Sequence, residues 1–279
     1  MSTQIAPQAL FVALNDQTVK VLDASWALDG TDMSALFSQD HIPTAQFFDI
    51  EAISDPDSHL PHMAPSPQRF AEVVSRMGIS PQDHVVIYDR QGLFSAARVW
   101  WTFRLMGHEH VQVLSGGLPA WKAMGYVTTD DLQPPNPVEY ISTYNENYII
   151  DYKELLQNLN NPDYLILDAR PRARFEGDAP EPRKGLRSGH MPSSHSLPFA
   201  ELIRDGALKP VDELKSLFRT LGADKADTIV TSCGSGVTAA IISLALTEAG
   251  YPMARLYDGS WAEWGQADLT TPVISSDEP

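Results

Sequence analysis

Cys233, the single cysteine of this chain, lies in the segment best suited to chemistry. The apolar, β-branched run Ile229-Val230-Thr231 leads into it, the residues Gly234-Ser235-Gly236 follow, and a helical stretch begins near Thr238. A strand that turns sharply into a helix leaves several backbone N–H groups unpartnered, so we expect those of residues 234–238 to face the Cys233 sulfur. Helix N-termini lower the pKa of a thiol from ~8.5 to roughly 3.5–7.5. The segment predicts a thiolate nucleophile in a loop shaped for an anionic reactant.

A buried structural cysteine at a strand end is the alternative interpretation, since free cysteines are often buried. The Gly-Ser-Gly sequence after Cys233 favours the functional thiol. Glycines allow the backbone to curl closely around an anion, and a cysteine that only packs does not require such a loop.

A second feature is a basic cluster in a strongly acidic chain. The net charge is −16, yet six of the 20 lysines and arginines fall within 18 residues: Arg170, Arg172, Arg174, Arg183, Lys184 and Arg187. Acidic residues are interspersed among them, so one interpretation is a solvated loop of mixed charge. The other is a guanidinium clamp for a small anion, because arginine forks match carboxylates bidentately.

Composition limits the classes of function. The net charge of −16 argues against nucleic acid and anionic membrane surfaces as partners. One cysteine excludes an internal disulfide framework and a multi-thiolate zinc site, and the eight histidines show no paired ligand spacing. No phosphate-binding glycine motif follows a strand. We therefore expect neither a metal nor a cofactor.

The N-terminal residues lack the features of a targeting segment. They carry no basic region followed by an apolar core, and no apolar run in the chain approaches the ~20 residues of a membrane span. We expect a cytoplasmic protein that does not associate with membranes.

The two halves of the chain resemble each other in sequence. Matching blocks recur in the same order, about 143 to 149 residues apart. The matches pair Val21–Ala24 with Ile166–Ala169, His41–Pro43 with His190–Pro192, Asp83–Asp89 with Asp227–Cys233, and Leu114–Trp121 with Tyr257–Trp264. Asp89 occupies the position of Cys233, so the first half cannot perform thiolate chemistry.

Each half alternates short apolar strands with amphipathic helices. In the second half we predict strands at 165–167, 228–232 and 254–257, and helices at 211–221 and 238–249. This alternation indicates an α/β fold of two tandem domains, each a mostly parallel sheet flanked by helices. Ligands bind at the carboxyl ends of the strands in such sheets, which is where Cys233 stands.

The domain boundaries follow from the repeat and from a proline cluster. We expect a first domain over 1–130 without the nucleophile, a linker over 131–147 and a catalytic domain over 148–279. Clustered prolines in Asp131–Pro137 favour an extended spacer.

These residues together resemble the tandem rhodanese family of sulfurtransferases. The resemblance covers nearly the whole chain and rests on four runs of the second half, with matching pieces in the first. The runs are Asp168-Ala169-Arg170, Arg174 to Pro192, Cys233-Gly234-Ser235-Gly236-Val237-Thr238 and Tyr257-Asp258-Gly259-Ser260-Trp261. Where the family often has Gly-Ala after His-Ile-Pro, this chain has Thr44-Ala45 and Ser193-Ser194.

The active-site loop is similar to that of the 3-mercaptopyruvate sulfurtransferases. Thiosulfate-using members carry basic residues after the cysteine, whereas Gly234 and Ser235 are uncharged. The resemblance implies that sulfur passes from 3-mercaptopyruvate to Cys233 as a persulfide, releasing pyruvate. The sulfur then passes to cyanide or to a thiol acceptor, such as a thioredoxin-like protein or a small thiol.

The resemblance also assigns roles to other residues. Arg174 and Arg183 match the substrate-binding arginines, and the loop residues Gly234, Gly236, Val237 and Thr238 would surround the anion. Ser235, His62 and Glu51 match a serine–histidine–acid relay for the substrate's thiol proton, with Glu51 where some members have Asp. Spacing alone favours a loop histidine at position 62 and a surface carboxylate at position 51, and it is the resemblance that makes both residues candidates.

Three other functions compete with this interpretation. Thiosulfate:cyanide sulfurtransferase activity is the alternative within the same class. A non-catalytic sulfur-binding or interaction module would have an inert thiol. A cysteine phosphatase would need an arginine six residues after the cysteine, and position 239 is alanine.

Overall fold

The computed structural model describes residues 2–275, which divide into two compact units. In chain order, the strands are β1 (Gln4–Ile5), β2 (Lys20–Asp23), β3 (Gln46–Phe47), β4 (Val85–Tyr88), β5 (Val111–Leu114), β6 (Ile149–Ile150), β7 (Tyr164–Asp168), β8 (Ser194–Ser196), β9 (Ile203–Arg204), β10 (Ala207–Leu208), β11 (Thr228–Ser232) and β12 (Arg255–Tyr257). The helices are α1 (Pro7–Asn15), α2 (Met33–Gln39), α3 (Ile50–Ile53), α4 (Pro67–Arg76), α5 (Ala96–Leu105), α6 (Gly117–Ala123), α7 (Tyr152–Asn158), α8 (Arg172–Glu176), α9 (Val211–Thr220), α10 (Ala239–Glu248) and α11 (Ser260–Trp264).

Each unit contains a short segment from the other half of the chain. Unit 1 comprises residues 2–56, 64–145 and 203–208. Unit 2 comprises residues 57–63, 146–202 and 209–275. The exchanged segment 57–63 matters for the site, because it brings a histidine of the first half into the unit that holds Cys233.

The two units have the same sheet topology. Unit 1 has a five-stranded parallel sheet in the order β1-β5-β4-β2-β3, and unit 2 has one in the order β6-β12-β11-β7-β8. Strands β9 and β10 form a separate antiparallel hairpin within unit 1. The predicted fold class is confirmed, and the strands and helices predicted for the second half agree with β7, β11, β12, α9 and α10 to within two residues at each end.

Both faces of each sheet are covered, so the central strands β4 and β11 are buried along nearly their whole length. In β4, Val86 and Tyr88 pack into one core with residues of α1, α2 and α6. Val85 and Ile87 are equally buried and point to the opposite face, where α5 contacts β4 and β5. Unit 2 repeats this plan, with α7 and α11 on the face of Val230 and α10 on the other.

No helix within residues 2–275 is both long enough and apolar enough to cross a lipid bilayer.

Candidate active site

Cys233 follows the central strand of the unit 2 sheet. It comes directly after β11, lies at the carboxyl end of the sheet and is 2% exposed. Residues 234–238 form the loop to α10, which we call the cysteine loop. Gly236 has φ +76°, a left-handed conformation that glycine adopts without steric cost. Residues 235–237 are buried, whereas Gly234 and Thr238 are partly exposed, so the loop opens beside Gly234 and Thr238.

The start of α11 orients the cysteine loop through its carbonyls. The N–H of Trp261 donates to the Cys233 carbonyl at 2.9 Å, and that of Ala262 donates to the Gly234 carbonyl at 2.9 Å. In a trans peptide the carbonyl and the following N–H point in opposite directions. The N–H groups of Gly234 and Ser235 are therefore turned to the side of the loop away from α11.

The expectation that all N–H groups of residues 234–238 face the sulfur is wrong at one position. The Gly236 N–H donates to Ser260 Oγ at 3.1 Å, and the Cys233 N–H donates to the same oxygen at 3.2 Å. Within residues 2–275, the N–H groups of Gly234, Ser235, Val237 and Thr238 have no protein acceptor. These four donors are available to an anion.

Arg174 and Arg183 converge on the cysteine loop. A Cβ atom added to Gly234 would lie 3.2 Å from Arg174 Nη2 and 3.9 Å from Arg183 Nη1. Glycine at this position leaves the space that the two guanidinium groups occupy. The arrangement places two cations beside the open end of the loop, where they can bind a carboxylate or a keto oxygen.

Glu181, one of the acidic residues interspersed in the basic cluster, holds Arg174 in place. Both carboxylate oxygens of Glu181 accept hydrogen bonds from Arg174, and Glu181 Oε1 also accepts one from Arg170 Nη1 at 2.8 Å. The Glu181 side chain is 2% exposed. A carboxylate between two arginines was a detectable signal in the sequence, since buried charges must be paired.

Arg170 anchors this network and does not reach the cysteine loop as a substrate clamp. It makes a bidentate ion pair with Asp168, its Nη2 lies 2.7 Å from Asp168 Oδ2, and its guanidinium stacks 4.0 Å above the Trp261 ring. Burial lowers the pKa of Arg170, but the carboxylates of Asp168 and Glu181 outweigh burial and raise it above its usual value. Arg170 is therefore a permanent buried cation that positions Glu181.

Two further arginines of the basic cluster make other contacts. Arg172 pairs with Glu201 at 3.1 Å on the surface. Arg187 donates to the carbonyls of Trp264 and Thr271, each at 2.8 Å, and so ties its segment to the C-terminal part of unit 2. The guanidinium clamp thus reduces to Arg174 and Arg183.

His62 and Ser235 meet inside unit 2. The distance from His62 Nδ1 to Ser235 Oγ is 3.0 Å, although the residues are 173 positions apart in sequence. His62 is 2% exposed and Ser235 is 5% exposed. A buried hydroxyl beside an imidazole can pass a proton in either direction, because either ring nitrogen can carry the hydrogen.

Glu51 lies in unit 1, in the first turn of α3. Its Oε1 accepts a hydrogen bond from the indole nitrogen of Trp26 at 2.8 Å. Its part in a relay with His62 stays a prediction.

Val237 and Thr238, the last two residues of the cysteine loop, make different contacts. Val237 is buried, at 3% exposure, and belongs to the apolar packing of the loop. Thr238 precedes α10, and its carbonyl accepts the Ile241 N–H at 3.1 Å.

Among residues 2–275, no group of three His, Cys, Asp or Glu side chains is arranged to hold a metal ion.

The chain matches known proteins along nearly its whole length. The model of the rhodanese-like domain matches it twice, at residues 7–124 and 151–267. The 3-mercaptopyruvate sulfurtransferase of Escherichia coli strain K12 is 40% identical over 260 residues, covering 92% of each chain. The mitochondrial thiosulfate/3-mercaptopyruvate sulfurtransferase 1 of Arabidopsis thaliana is 39% identical over 292 residues, covering 96% of this chain and 77% of its own length.

A solved structure gives the same result for the fold. The crystal structure of SseA from Escherichia coli, described as a 3-mercaptopyruvate sulfotransferase with the rhodanese fold, superposes with a TM-score of 0.85 at 36% identity. The superposition covers 94% of this chain and 100% of SseA. The family that the sequence motifs predicted is therefore confirmed, and this chain belongs to the rhodanese-like proteins with two such domains.

Proposed function

We propose that this chain is a 3-mercaptopyruvate sulfurtransferase in which Cys233 carries the sulfur as a persulfide. The observation that supports this most directly is the convergence of Arg174 and Arg183 beside Gly234, next to Cys233. The substrate is a three-carbon keto acid with a carboxylate, a keto oxygen and a thiol. The two guanidinium groups can bind the carboxylate and the keto oxygen, and Cys233 can react with the thiol.

The reaction balances without a metal, an oxidant or a reductant. The Cys233 thiolate attacks the substrate sulfur, an S–S bond forms, and the C–S bond breaks with its electron pair remaining on carbon. The resulting enolate takes the proton that the substrate thiol carried and leaves as pyruvate. The outer sulfur of the persulfide keeps the negative charge that Cys233 carried at the start.

The cysteine loop suits both charges that develop. The N–H groups of Gly234, Ser235, Val237 and Thr238, which have no acceptor within residues 2–275, can stabilise the persulfide anion. Arg174 and Arg183 stabilise the enolate and the carboxylate. Removing one such electrostatic contact from an active site commonly costs about 10²–10³ in kcat.

Ser235 and His62 supply the proton path. Their 3.0 Å hydrogen bond lets Ser235 take the thiol proton while His62 holds or returns it. Glu51 is the acid that the resemblance implies for this relay. Ser235→Ala and His62→Gln should therefore lower kcat to a similar extent, and the double variant should lose little more, because members of one relay are not additive.

Arg183→Ala tests the substrate clamp. If Arg183 makes one charge-assisted pair worth ~1.5–3 kcal/mol, the KM for 3-mercaptopyruvate should rise by about 10–100-fold. Arg172→Ala is a matched control, because that arginine lies on the surface, paired with Glu201. An unchanged KM in Arg183→Ala would remove this residue from the site.

A small thiol is the acceptor that the surroundings favour. A pocket of about 410 Å³ lies within unit 2, with Arg183, Lys184 and Ala262 in its wall. The Ala262 N–H is the one bonded to Gly234, so this cavity borders the site. A volume of this size is in the range of small-molecule sites.

Steady-state turnover is the deciding experiment. 3-Mercaptopyruvate and thiosulfate should be compared as donors, each with cyanide, glutathione and a thioredoxin as acceptors. A preference for 3-mercaptopyruvate supports the proposal. A preference for thiosulfate would keep Cys233 as the carrier and overturn the substrate assignment, and turnover with neither donor would overturn the enzyme activity.

A further inference from the structure

Ser260 adopts a backbone conformation that serine rarely adopts. Its φ is +48°, in the left-handed region, and its side chain is fully buried. A non-glycine residue there is destabilised, and such conformations persist where the surrounding structure holds them. The motif Tyr257-Asp258-Gly259-Ser260-Trp261 therefore contains a strained residue that the chemistry described above does not use.

The hydroxyl of Ser260 is fully engaged with the cysteine loop. Its Oγ accepts the N–H groups of Cys233 at 3.2 Å and of Gly236 at 3.1 Å. The same hydroxyl donates to the Tyr257 carbonyl at 2.8 Å. One side chain thus ties the first residue of the turn and its left-handed glycine to the end of β12.

Unit 1 shows what this position looks like without the hydroxyl. The repeat aligns Ser260 with Gly117, which has φ +55°. A Cβ on Gly117 would lie 2.4 Å from the Asp89 carbonyl oxygen and 2.9 Å from Gly92 Cα, so only glycine fits. In unit 2 the same backbone conformation carries a serine despite its cost, and the side chain contacts the loop that holds the nucleophile.

We propose that Ser260 is a positioning residue that fixes the cysteine loop in the form competent for sulfur transfer. By accepting the N–H groups of Cys233 and Gly236, it fixes which loop donors are left to face the anion. Without this acceptor the loop must rotate its peptides to find other partners, and the cradle around the persulfide is lost. The inference rests on the proposed function, because it assigns Ser260 to that same site.

Two substitutions separate the hydroxyl from the backbone strain. Ser260→Ala keeps the strained conformation and removes the hydroxyl, whereas Ser260→Gly removes both. We expect both variants to lower kcat with 3-mercaptopyruvate by about 10-fold or more, as for other lost active-site hydrogen bonds. KM should change less than threefold, since Arg174 and Arg183 still bind the substrate. Ser260→Gly should melt about 2–4 °C above Ser260→Ala, because glycine relieves the strain.

Ser193→Gly is the matched control. Ser193 also has a left-handed backbone, with φ +62°, and lies in the turn after Pro192. It should gain stability and keep wild-type kcat and KM.

Three outcomes would overturn the inference. A wild-type kcat in Ser260→Ala or Ser260→Gly would do so. An activity that follows melting temperature across the two variants would also do so, because it would mean a purely structural role. A rise in KM with an unchanged kcat would place Ser260 in substrate binding and not in the positioning of the loop. If wild-type protein transfers no sulfur, the proposed function fails instead, and a single-turnover measurement of persulfide formation on wild type distinguishes that case.

Discussion

Asp89 and Cys233 occupy the same place in two sheets of the same topology, and their loops differ in what fills them. The Asp89 carboxylate accepts the N–H groups of Gln91 at 2.9 Å, Phe94 at 2.7 Å, Ser95 at 3.0 Å and Ala96 at 2.9 Å. The corresponding loop of unit 2 is one residue shorter, and its Ser235, Val237 and Thr238 N–H groups have no acceptor within the described residues. In unit 1 the backbone after the strand thus forms a cradle for an anion, and we expect the same of the corresponding loop in unit 2.

The difference is where the anion comes from. Unit 1 supplies it from its own side chain, so its cradle is closed. Unit 2 replaces the carboxylate by a shorter thiol and leaves the cradle for the sulfur that arrives. This comparison supports the proposal that a persulfide anion, one atom longer than the cysteine, is the species the loop stabilises.

The arginines differ in the same sense. In unit 1, Arg90 follows Asp89 directly, and its guanidinium donates to the Leu36 carbonyl at 2.8 Å and to that of Asp40. In unit 2 the aligned position is Gly234, and the space beside it belongs to Arg174 and Arg183. One unit uses arginine to close its loop, and the other uses two arginines to line an opening.

Converting the nucleophile gives the largest expected effect. Cys233→Asp should imitate Asp89, abolish sulfur transfer by more than about 10³-fold and keep a cooperative thermal transition, because the loop donors gain a carboxylate. Cys233→Ser should be equally inactive but should not gain stability. Turnover and the mass of one added sulfur atom on the protein are the measurements.

The reverse change sharpens the same comparison. Asp89→Cys in the Cys233→Ser background should transfer no sulfur, since Arg90 takes the place of the glycine and no arginine pair lines that loop. Activity in this double variant would show that a thiol in the cradle is sufficient, and the argument from Arg174 and Arg183 would fail.

The aspartates one strand away differ in their counter-ions. Asp168 pairs with buried Arg170 at 2.7 Å. Asp23 has Ser25 at the position of Arg170, and its one cationic partner among residues 2–275 is Arg90, with Nε at 3.8 Å. Asp168→Asn should lower the free energy of unfolding by up to about 3–5 kcal/mol, because Arg170 loses its bidentate partner and keeps Glu181 as its remaining carboxylate. Asp23→Asn should cost less than about 1 kcal/mol at pH 4.

The pH dependence separates the two aspartates further. Burial raises the pKa of Asp23 above 3.8, and the hydrogen bonds of Ser25 only partly offset it. The pKa of Asp23 is therefore higher in the folded protein than in the unfolded chain. Protonated Asp23 contributes to stability below pH 3.8, and this contribution is lost as pH rises through the folded pKa. The stability of Asp23→Asn relative to wild type should therefore improve from pH 4 upwards. Chemical denaturation along a pH series measures it, and a flat difference would contradict the assignment.

The charge of the cysteine loop should have a smaller effect, on the choice between sulfur donors. A side chain at position 234 would meet the flexible end of Arg174 first, at 3.2 Å, so it can be accommodated. Gly234→Lys should shift the ratio of kcat/KM from 3-mercaptopyruvate toward thiosulfate by about 10-fold, since a dianion gains a cation. Gly234→Gln is the neutral control of similar size. Equal ratios in the two variants would refute the role of loop charge.

The fold class, the strand before Cys233 and the family could be predicted from local sequence patterns. The alternation of apolar strands and helices determined the fold class, and the β-branched run before Cys233 placed β11 at 228–232, as observed. The family and the enzyme class that the motifs implied are confirmed. Burial of the strands on both faces is what makes such runs recognisable.

The parts that could not be predicted depend on contacts between distant residues. The family resemblance, and nothing local to His62, indicates that it packs beside Ser235, 173 positions away. Ser260 stands in a recognised motif, but its contact with the Cys233 N–H follows from its left-handed backbone, which the sequence does not reveal at a serine. Glu181 could have been found from its place between arginines.

The turn after each His-x-Pro motif allows the last and smallest comparison. The family often has glycine there, and this chain has Thr44 with φ +67° and Ser193 with φ +62°, so both turns keep the left-handed conformation without glycine. A non-glycine residue in that region destabilises the folded state by roughly 1–2 kcal/mol. Glycine removes this strain but loses more conformational entropy on folding, which offsets about 0.5–1 kcal/mol of the gain. Thr44→Gly should therefore raise the free energy of unfolding by about 0.5–1 kcal/mol, and by more than Ser193→Gly, because a β-branched residue is least tolerated at positive φ. Thermal denaturation of the two variants measures the difference. A loss of stability in Thr44→Gly would mean that its side-chain packing outweighs the strain, and the two turns would then be kept by different forces despite their shared backbone.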